Sequence, residues 1–494
     1  MNLHTASITK KIVPSPQMNL EPSEIAARAT DAYSSLCKEF QKAGSPVDFD
    51  FRKHCIEWTS RGDHLTHRLH RYPARLTPYI PLFFLAVRDV AVPGGLLLDP
   101  FAGCGTVLVE APVHPAHPMR PIGFEINPLA RLIAKVKTTP LDARAVMDAW
   151  RRILARYEAD ISKTSLPDFP NKRHWFTLTV ELRLARVLRA MEGLRDGDLR
   201  DFFLVAASSV VRQVSLADPG VSVPVKIAPE RFRDDKVRSR AQASLSQRER
   251  ADVLAILDET VHRNLSRLRS WVEAASITLS GVTIRGADAR TFATSPYVGG
   301  GRLGGEIEPA LTGVDLVLTS PPYANAQRYT RSLRLELFAL GFTGSSEEES
   351  VLDRLQVGTE RVPELDWKKM VEPTGVTTAD CVIELVRHLD RYRAAIIGKY
   401  VRDMQTVVSN CYSVLKPGGH AVFVIGNNCV RGHILDNAAI LAELGEQAGF
   451  SKVLRVRNRI PSRGLLTKRH PTAGVITHEH VLVLRKSSAP SERH

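Results

Sequence analysis

Two short runs have residue types and spacing suited to chemistry. The first is Asp99-Pro100-Phe101-Ala102-Gly103-Cys104-Gly105-Thr106, which follows the apolar run Leu96-Leu97-Leu98. Its two glycines let the backbone take torsions that other residues resist, and let a ligand approach closely. Glu125 follows Gly105 by about 20 residues, the spacing at which an acid at the next strand end accepts hydrogen bonds from ribose hydroxyls. Leu108 stands where a dinucleotide loop has its third glycine, which argues against a pyrophosphate-bearing cofactor. Without Glu125, the glycine pair would also fit an ordinary tight turn. The second run is Ser320-Pro321-Pro322-Tyr323, after the apolar run Asp315-Leu316-Val317-Leu318-Thr319. Two prolines fix their φ angles and bring no N–H donors. Such a turn offers carbonyls and a serine hydroxyl beside an aromatic face. An amine on an aromatic ring fits there: its nitrogen lone pair is delocalised, and acceptors on its N–H protons return electron density to nitrogen. Taken alone, the Pro-Pro turn is equally a structural corner before a helix.

The elements around these runs must place them at strand ends. Leu96–Asp99, Pro121–Glu125, Val282–Arg285 and Asp315–Thr319 read as short buried strands. Thr106–Ala111 and Pro128–Val136 read as helices. Strands alternating with helices imply an α/β, doubly wound sheet. Later, Leu415-Lys416-Pro417-Gly418-Gly419 reads as a turn, with Ala421–Ile425 and Val481–Leu484 as the last strands. Residues 1–60 read as an N-terminal helical arm, with Ser23 as the N-cap of a helix to Cys37. Residues 61–140 carry the cofactor-binding part of the catalytic domain, and 281–490 the Pro-Pro run and remaining strands. Between them, 141–280 reads as a largely helical insertion. Its clearest piece has Leu254, Leu257, Val261, Leu265, Leu268 and Val272 on one face. The insertion also holds a polar, basic and mobile stretch with Arg231, Arg233, Lys236, Arg238, Arg240, Arg248 and Arg250. Residues 341–400 read as helical, and Glu347-Glu348-Glu349 as surface.

Composition narrows the classes of function. The chain has 494 residues, enough for a large core and a second module. No apolar run reaches the roughly 18–20 residues of a membrane helix, and no apolar stretch follows the first lysines as a secretory signal requires. These features imply a cytoplasmic protein. Its six cysteines stand singly, without a CxxC pair, so neither a zinc site nor a disulfide framework is indicated. The net charge of +14 suits a polyanionic partner, although a basic solvated surface has the same composition. No Pro-Cys occurs, so the cysteine-nucleophile route to carbon methylation lacks its residue. His478 and His480 flank Glu479, a pattern that suits a strand edge better than a metal site.

Together the two runs resemble the motifs of the site-specific DNA amino-methyltransferase family, whose members methylate cytosine N4 or adenine N6. Asp99 to Thr106 is similar to the family's D-P-F-x-G-x-G-T cofactor loop, and Ser320 to Tyr323 to its [DNS]-P-P-[YF] catalytic motif. Tyr72-Pro73-Ala74-Arg75 resembles the motif that contacts the methionine end of the cofactor, and Glu125-Ile126-Asn127-Pro128 the ribose-binding acidic motif. The likeness covers most of 64–140 and 281–486. It implies a Rossmann-like methyltransferase sheet and S-adenosylmethionine as cofactor. Tyr72, Ala74, Asp99, Phe101, Gly103, Gly105, Thr106 and Glu125 would line the cofactor, with Asp288 at its adenine. Ser320, Pro321, Pro322 and Tyr323 would be catalytic on a base flipped out of DNA. No metal is needed.

The serine form favours cytosine N4. Adenine N6, an RNA guanine N2, and an inactive DNA-binding protein remain alternatives at this level. The segment that reads DNA falls in 141–280 or 341–400. Arg455, Arg457, Arg459, Arg463, Lys468 and Arg469 are further candidates for phosphate contact. A restriction or defence-system partner is compatible with the family.

Overall fold

The computed structural model describes residues 20–58, 65–73, 75–162, 164–275, 282–286, 288–293, 297–298, 307–308, 311–324, 329–460 and 477–488. Ala74, Arg463, Lys468, Arg469 and the loop 299–305 fall outside these residues.

An eight-stranded sheet carries the site. In chain order its strands are β1 (Val47–Asp48), β2 (Leu96–Asp99), β3 (Arg120–Phe124), β4 (Thr283–Arg285), β5 (Val314–Thr319), β6 (Leu415–Gly426), β7 (Phe450–Arg459) and β8 (His478–Lys486). Their order across the sheet is β1-β7-β8-β6-β5-β2-β3-β4. All pairings are parallel except those of β8, which runs against both β6 and β7. The chain builds outward from β2 to β3 and β4, then crosses to β5 on the other side. The order therefore reverses between β2 and β5, and ligands of doubly wound sheets bind at such a switch point, beyond the strands' C-terminal ends. Asp315 pins the opposite ends together. Its carboxylate accepts from the Leu96 N–H at 2.8 Å and from Lys416 Nζ at 2.6 Å, joining three neighbouring strands.

Alternate residues of each strand face opposite layers. Leu97, Leu316, Val422 and Val481 pack with helix α1 (Pro22–Ala43) and helix α2 (Tyr79–Ala86). Leu98, Val317, Phe423 and Leu482 pack with helices of the other face. The segment expected as an N-terminal arm lies against the sheet, and Val47–Asp48 extends the sheet beside β7. Its helix begins at Pro22 rather than after Ser23. Proline at the first turn lacks the N–H that a cap would satisfy, so the boundary falls earlier.

The helices of 141–280 form a further layer. Helix α3 (Thr106–Glu110) and helix α4 (Pro128–Lys137) follow β2 and β3. Cys104, Val109, Leu129 and Ile133, from the loop and these helices, share one core with Trp150, Phe202, Phe203 and Trp271. Those four large residues lie on helix α5 (Ala143–Ala159), helix α6's successor α7 (Gly197–Val214) and helix α9 (Val253–Ala274), with α6 being Leu178–Glu192 and α8 Asp235–Glu249. Burying each such side chain is worth roughly 1.5–3 kcal/mol, so this layer is bound firmly to the loop and helices that follow β2 and β3. Among the described residues, no helix is long and apolar enough to cross a membrane.

Candidate active site

Both chemistry-bearing runs sit at the switch point, at the C-terminal ends of adjacent strands β2 and β5. Hydrogen bonds fix the first run. Asp99 is 3% exposed, and its Oδ1 accepts from the Phe101 N–H at 3.1 Å and the Thr319 hydroxyl at 2.6 Å. Burial raises this carboxyl's pKa to about 7, against the lowering effect of the two hydrogen bonds. Thr319 is the last residue of β5, so one hydrogen bond ties the two strand ends together. Asp99 and Thr106 are both turned inward. The Thr106 hydroxyl donates to the Leu76 carbonyl at 3.4 Å, which lays the Tyr72–Leu76 strip along the loop.

The glycines have different roles. Gly105 has φ +81°, and a Cβ there would stand 2.9 Å from that of Ala134, so loop and helix α4 meet at van der Waals limit. Gly103 has φ +52°, and an added Cβ would have nothing nearer than the Tyr72 ring at 3.9 Å. This places an open backbone beside an aromatic edge. Behind the loop, the fully buried Lys137 donates from Nζ to the Cys104 carbonyl at 2.8 Å. His67 and Glu110, also buried, are in hydrogen-bond contact. Glu110 is held by burial at a pKa of about 8.

Glu125 closes the loop from β3. Its Oε2 accepts from the Gly103 N–H at 2.9 Å, and its Oε1 from the Asn127 N–H at 2.7 Å. Burial raises its pKa, and these backbone donors work against the shift. Each oxygen keeps a lone pair, so this acid can still accept from a sugar diol. An open glycine backbone, a partly exposed Tyr72 and an acid with spare acceptors fit a nucleoside-bearing cofactor. Asp288 is more heavily engaged. Both its oxygens accept from the Arg290 guanidinium, which also reaches Asp403 at 2.9 Å.

At the second run, the Ser320 hydroxyl donates to the Val424 carbonyl of β6 at 2.9 Å. Its proton is therefore directed into the sheet rather than outward, and its lone pairs remain for a donor from outside. Pro321 is buried, while Pro322 and Tyr323 are partly exposed. Two supports of this turn were not read from the sequence. Gly358, at φ +77°, packs so closely that an added Cβ would lie 2.9 Å from the Tyr323 carbonyl. The Asn428 amide donates to the Ala324 carbonyl, and accepts in turn from Asn437 at 2.9 Å. The Asn427-Asn428 pair directly after a strand was the available signal, since strand ends of this sheet type carry sites.

Other candidates lie elsewhere. Arg455 is paired with Asp436 and Arg457 with Asp48. The His480 imidazole meets the Asn427 amide at 3.3 Å.

A glycine loop and a Pro-Pro turn stand astride the switch point of a doubly wound α/β sheet. Comparison with known proteins narrows the class. The chain is 25% identical over 427 residues to the Type II methyltransferase M.MvaI of Kocuria varians, covering 84% of this chain and 88% of that one. M.AvaI of Nostoc is 27% identical over 158 residues, 28% of this chain and 31% of its own. M.MjaII of Methanocaldococcus jannaschii is 32% identical over 102 residues, 21% of this chain and 18% of its own. The resemblance to site-specific DNA methyltransferases carried by the two motifs therefore extends over most of the chain. No family model matches. Among solved structures, the rRNA methyltransferase aviRa from Streptomyces viridochromogenes aligns over 84% of this chain and 88% of its own, at 12% identity and a TM-score of 0.28. So loose a superposition bears on neither fold nor substrate.

Proposed function

We propose that this protein methylates the exocyclic amino group of a base flipped out of DNA, with cytosine N4 as the target atom and S-adenosylmethionine as the donor. The observation that carries the reading is the Thr319–Asp99 hydrogen bond, which joins the nucleoside-type loop to the Pro-Pro turn at one switch point. S-adenosylmethionine supplies a sulfonium methyl, an electrophile strong enough that no base need act before attack. Gly103 gives it an open backbone, Gly105 the tight turn that seats the loop against helix α4, Tyr72 and Phe101 its walls, and Glu125 acceptors for the ribose hydroxyls. Asp288, held by Arg290, would face the adenine.

The chain's own residues prepare the amine. Ser320 donates its hydroxyl hydrogen bond to the Val424 carbonyl and so presents only acceptor character to the substrate. The Pro321 carbonyl is the second acceptor, and no proline N–H competes for it. With both N–H bonds held, the amine nitrogen is oriented with its lone pair toward the loop. Tyr323 stacks on the extruded ring. Positioning supplies most of the acceleration. Bound there, S-adenosylmethionine would supply the methyl and keep the electron pair of the broken bond, while the amine held by Ser320 and Pro321 would afterwards lose its proton to solvent.

Replacing Tyr323 by Ala tests the assignment. Stacking is worth about 1–3 kcal/mol per base, so activity on duplex DNA falls by roughly one to two orders of magnitude or more, while cofactor affinity by calorimetry persists. Full activity in that variant sinks the reading.

A further inference from the structure

Helix α8 stands apart from every other long helix. Among described helices of ten or more residues, it alone buries none of its side chains. It is strongly polar, with only a thin line of Val237, Ala241 and Leu245, none of them fully buried, and an isolated helix of that length is marginal in water. Its two ends hold it. The Asp234 side chain accepts from the Val237 N–H at 3.0 Å. Near the other end, Arg248 Nη1 donates to the carbonyls of Arg212, Gln213 and Ser215 at 3.1, 2.6 and 2.8 Å. One guanidinium thus satisfies the C-terminal carbonyls of α7 and fastens α8 to it.

That end of α7 lies beside the candidate site. Ser208 bonds His70 at 2.6 Å and the Ser209 hydroxyl donates to the Leu69 carbonyl at 3.4 Å, one turn before Arg212. Leu69 and His70 lead into Tyr72, whose ring borders Gly103. Helix α8 therefore projects from the rim on the Tyr72 side. Its charge is equally specific. Arg231, Arg233, Lys236, Arg240 and Arg250 are exposed, and none has a carboxylate partner among the described residues. Of the nearby acids, Asp234 is engaged in the cap and Asp235 with Arg238; Glu230 and Glu249 are exposed, and the five unpaired cations outnumber them. Between the cations, Ser239, Gln242, Ala243 and Ser246 line a shallow groove with Pro229 and Glu230. Small polar side chains there allow close approach by a sugar-phosphate backbone.

We infer that α8 and its lead-in from Arg231 form a phosphate-tracking arm that holds a DNA duplex over the candidate site. This rests on the DNA-methyltransferase reading above. The apparent waste of a long helix that buries nothing is resolved if its partner is the polyanion, because each cation set on a phosphate releases condensed counterions. The contacts are sequence-independent, so the arm fixes register and does not choose the base.

The test is the triple variant Arg233→Ala/Lys236→Ala/Arg240→Ala in the full chain. All three side chains are exposed, so the melting midpoint should match the parent. Duplex affinity is measured by fluorescence anisotropy over a salt series, and S-adenosylmethionine affinity by calorimetry. The slope of log affinity against log salt should fall by about 2.7, roughly 0.9 per lost phosphate contact. Affinity should fall uniformly over different duplex sequences, with cofactor binding unchanged. A retained slope and affinity overturn the arm. If the parent methylates DNA and the variant matches it, the arm alone fails. If the parent binds duplex RNA but no DNA, the arm and the methyltransferase reading fall together.

Discussion

The two strand ends at the switch point are built from opposite materials. The end of β2 is glycine, with backbone N–H groups that need acceptors and receive them from Asp99 and Glu125. The end of β5 is proline, which has no N–H to offer and only carbonyl oxygens as polar backbone groups. One end is shaped to receive a ligand rich in hydroxyls. The other is shaped to receive a donor. Under the proposed reading, this asymmetry of donors and acceptors would orient a cofactor on one side and an amine on the other without a catalytic base, and the Thr319–Asp99 hydrogen bond ties the two ends together.

The contrast can be broken at each end separately. The largest effect belongs to Asp99, through pH. Its folded pKa of about 7 lies above the roughly 3.9 of an unfolded aspartate, so between those values the native state binds the extra proton. Stability therefore falls as pH rises across that window, by up to about 1.4 kcal/mol per unit. Asp99→Asn should flatten the fall in a melting series from pH 5 to 8. An unchanged slope would show that Asp99 is ionised in the native state throughout. Gly105→Ala comes next. A left-handed torsion and the Ala134 contact together cost roughly 2–4 kcal/mol, and cofactor affinity should fall in calorimetry. If the glycine end is only a turn, affinity survives the lower melting point.

Thr319→Val cuts the link between the ends. It leaves Asp99 one buried partner short, at a cost of about 1–3 kcal/mol, and should lower both cofactor affinity and turnover. A change in one alone would show that the ends act independently. The smallest effect belongs to Asn428→Ala, about 1 kcal/mol in stability, with turnover reduced and cofactor affinity kept. Loss of cofactor affinity there would contradict the division between the ends.

Much of this was legible because each strand end announces itself locally. Leu96–Leu98 running into glycines, and Asp315–Thr319 running into prolines, need no distant partner to be read. The supports were not legible, since they come from far along the chain. Asp403 reaches Arg290 across 113 residues, and Val424 reaches Ser320 across 104. The turn expected at 415–419 is instead the start of β6. Gly418 at φ +82° and a shifted register beside β5 absorb the Pro-Gly-Gly run within one strand. The basic stretch expected to be mobile folds as α8, because Asp234 and Arg248 fix its ends. The acidic run is part surface and part core. Ser345 caps a helix, Ser346–Leu355, whose first turn favours acids, and Glu349 is buried against Arg334.

The central claim is that the proline end presents acceptors to a base amine. Incubating the full chain with labelled S-adenosylmethionine and unmethylated genomic DNA, then analysing the modified nucleosides by mass spectrometry, tests it most directly. The account predicts label in N4-methylcytosine. Label in N6-methyladenine would keep the chemistry and overturn the target, whereas label in a carbon-methylated base, or none in DNA, would contradict the account.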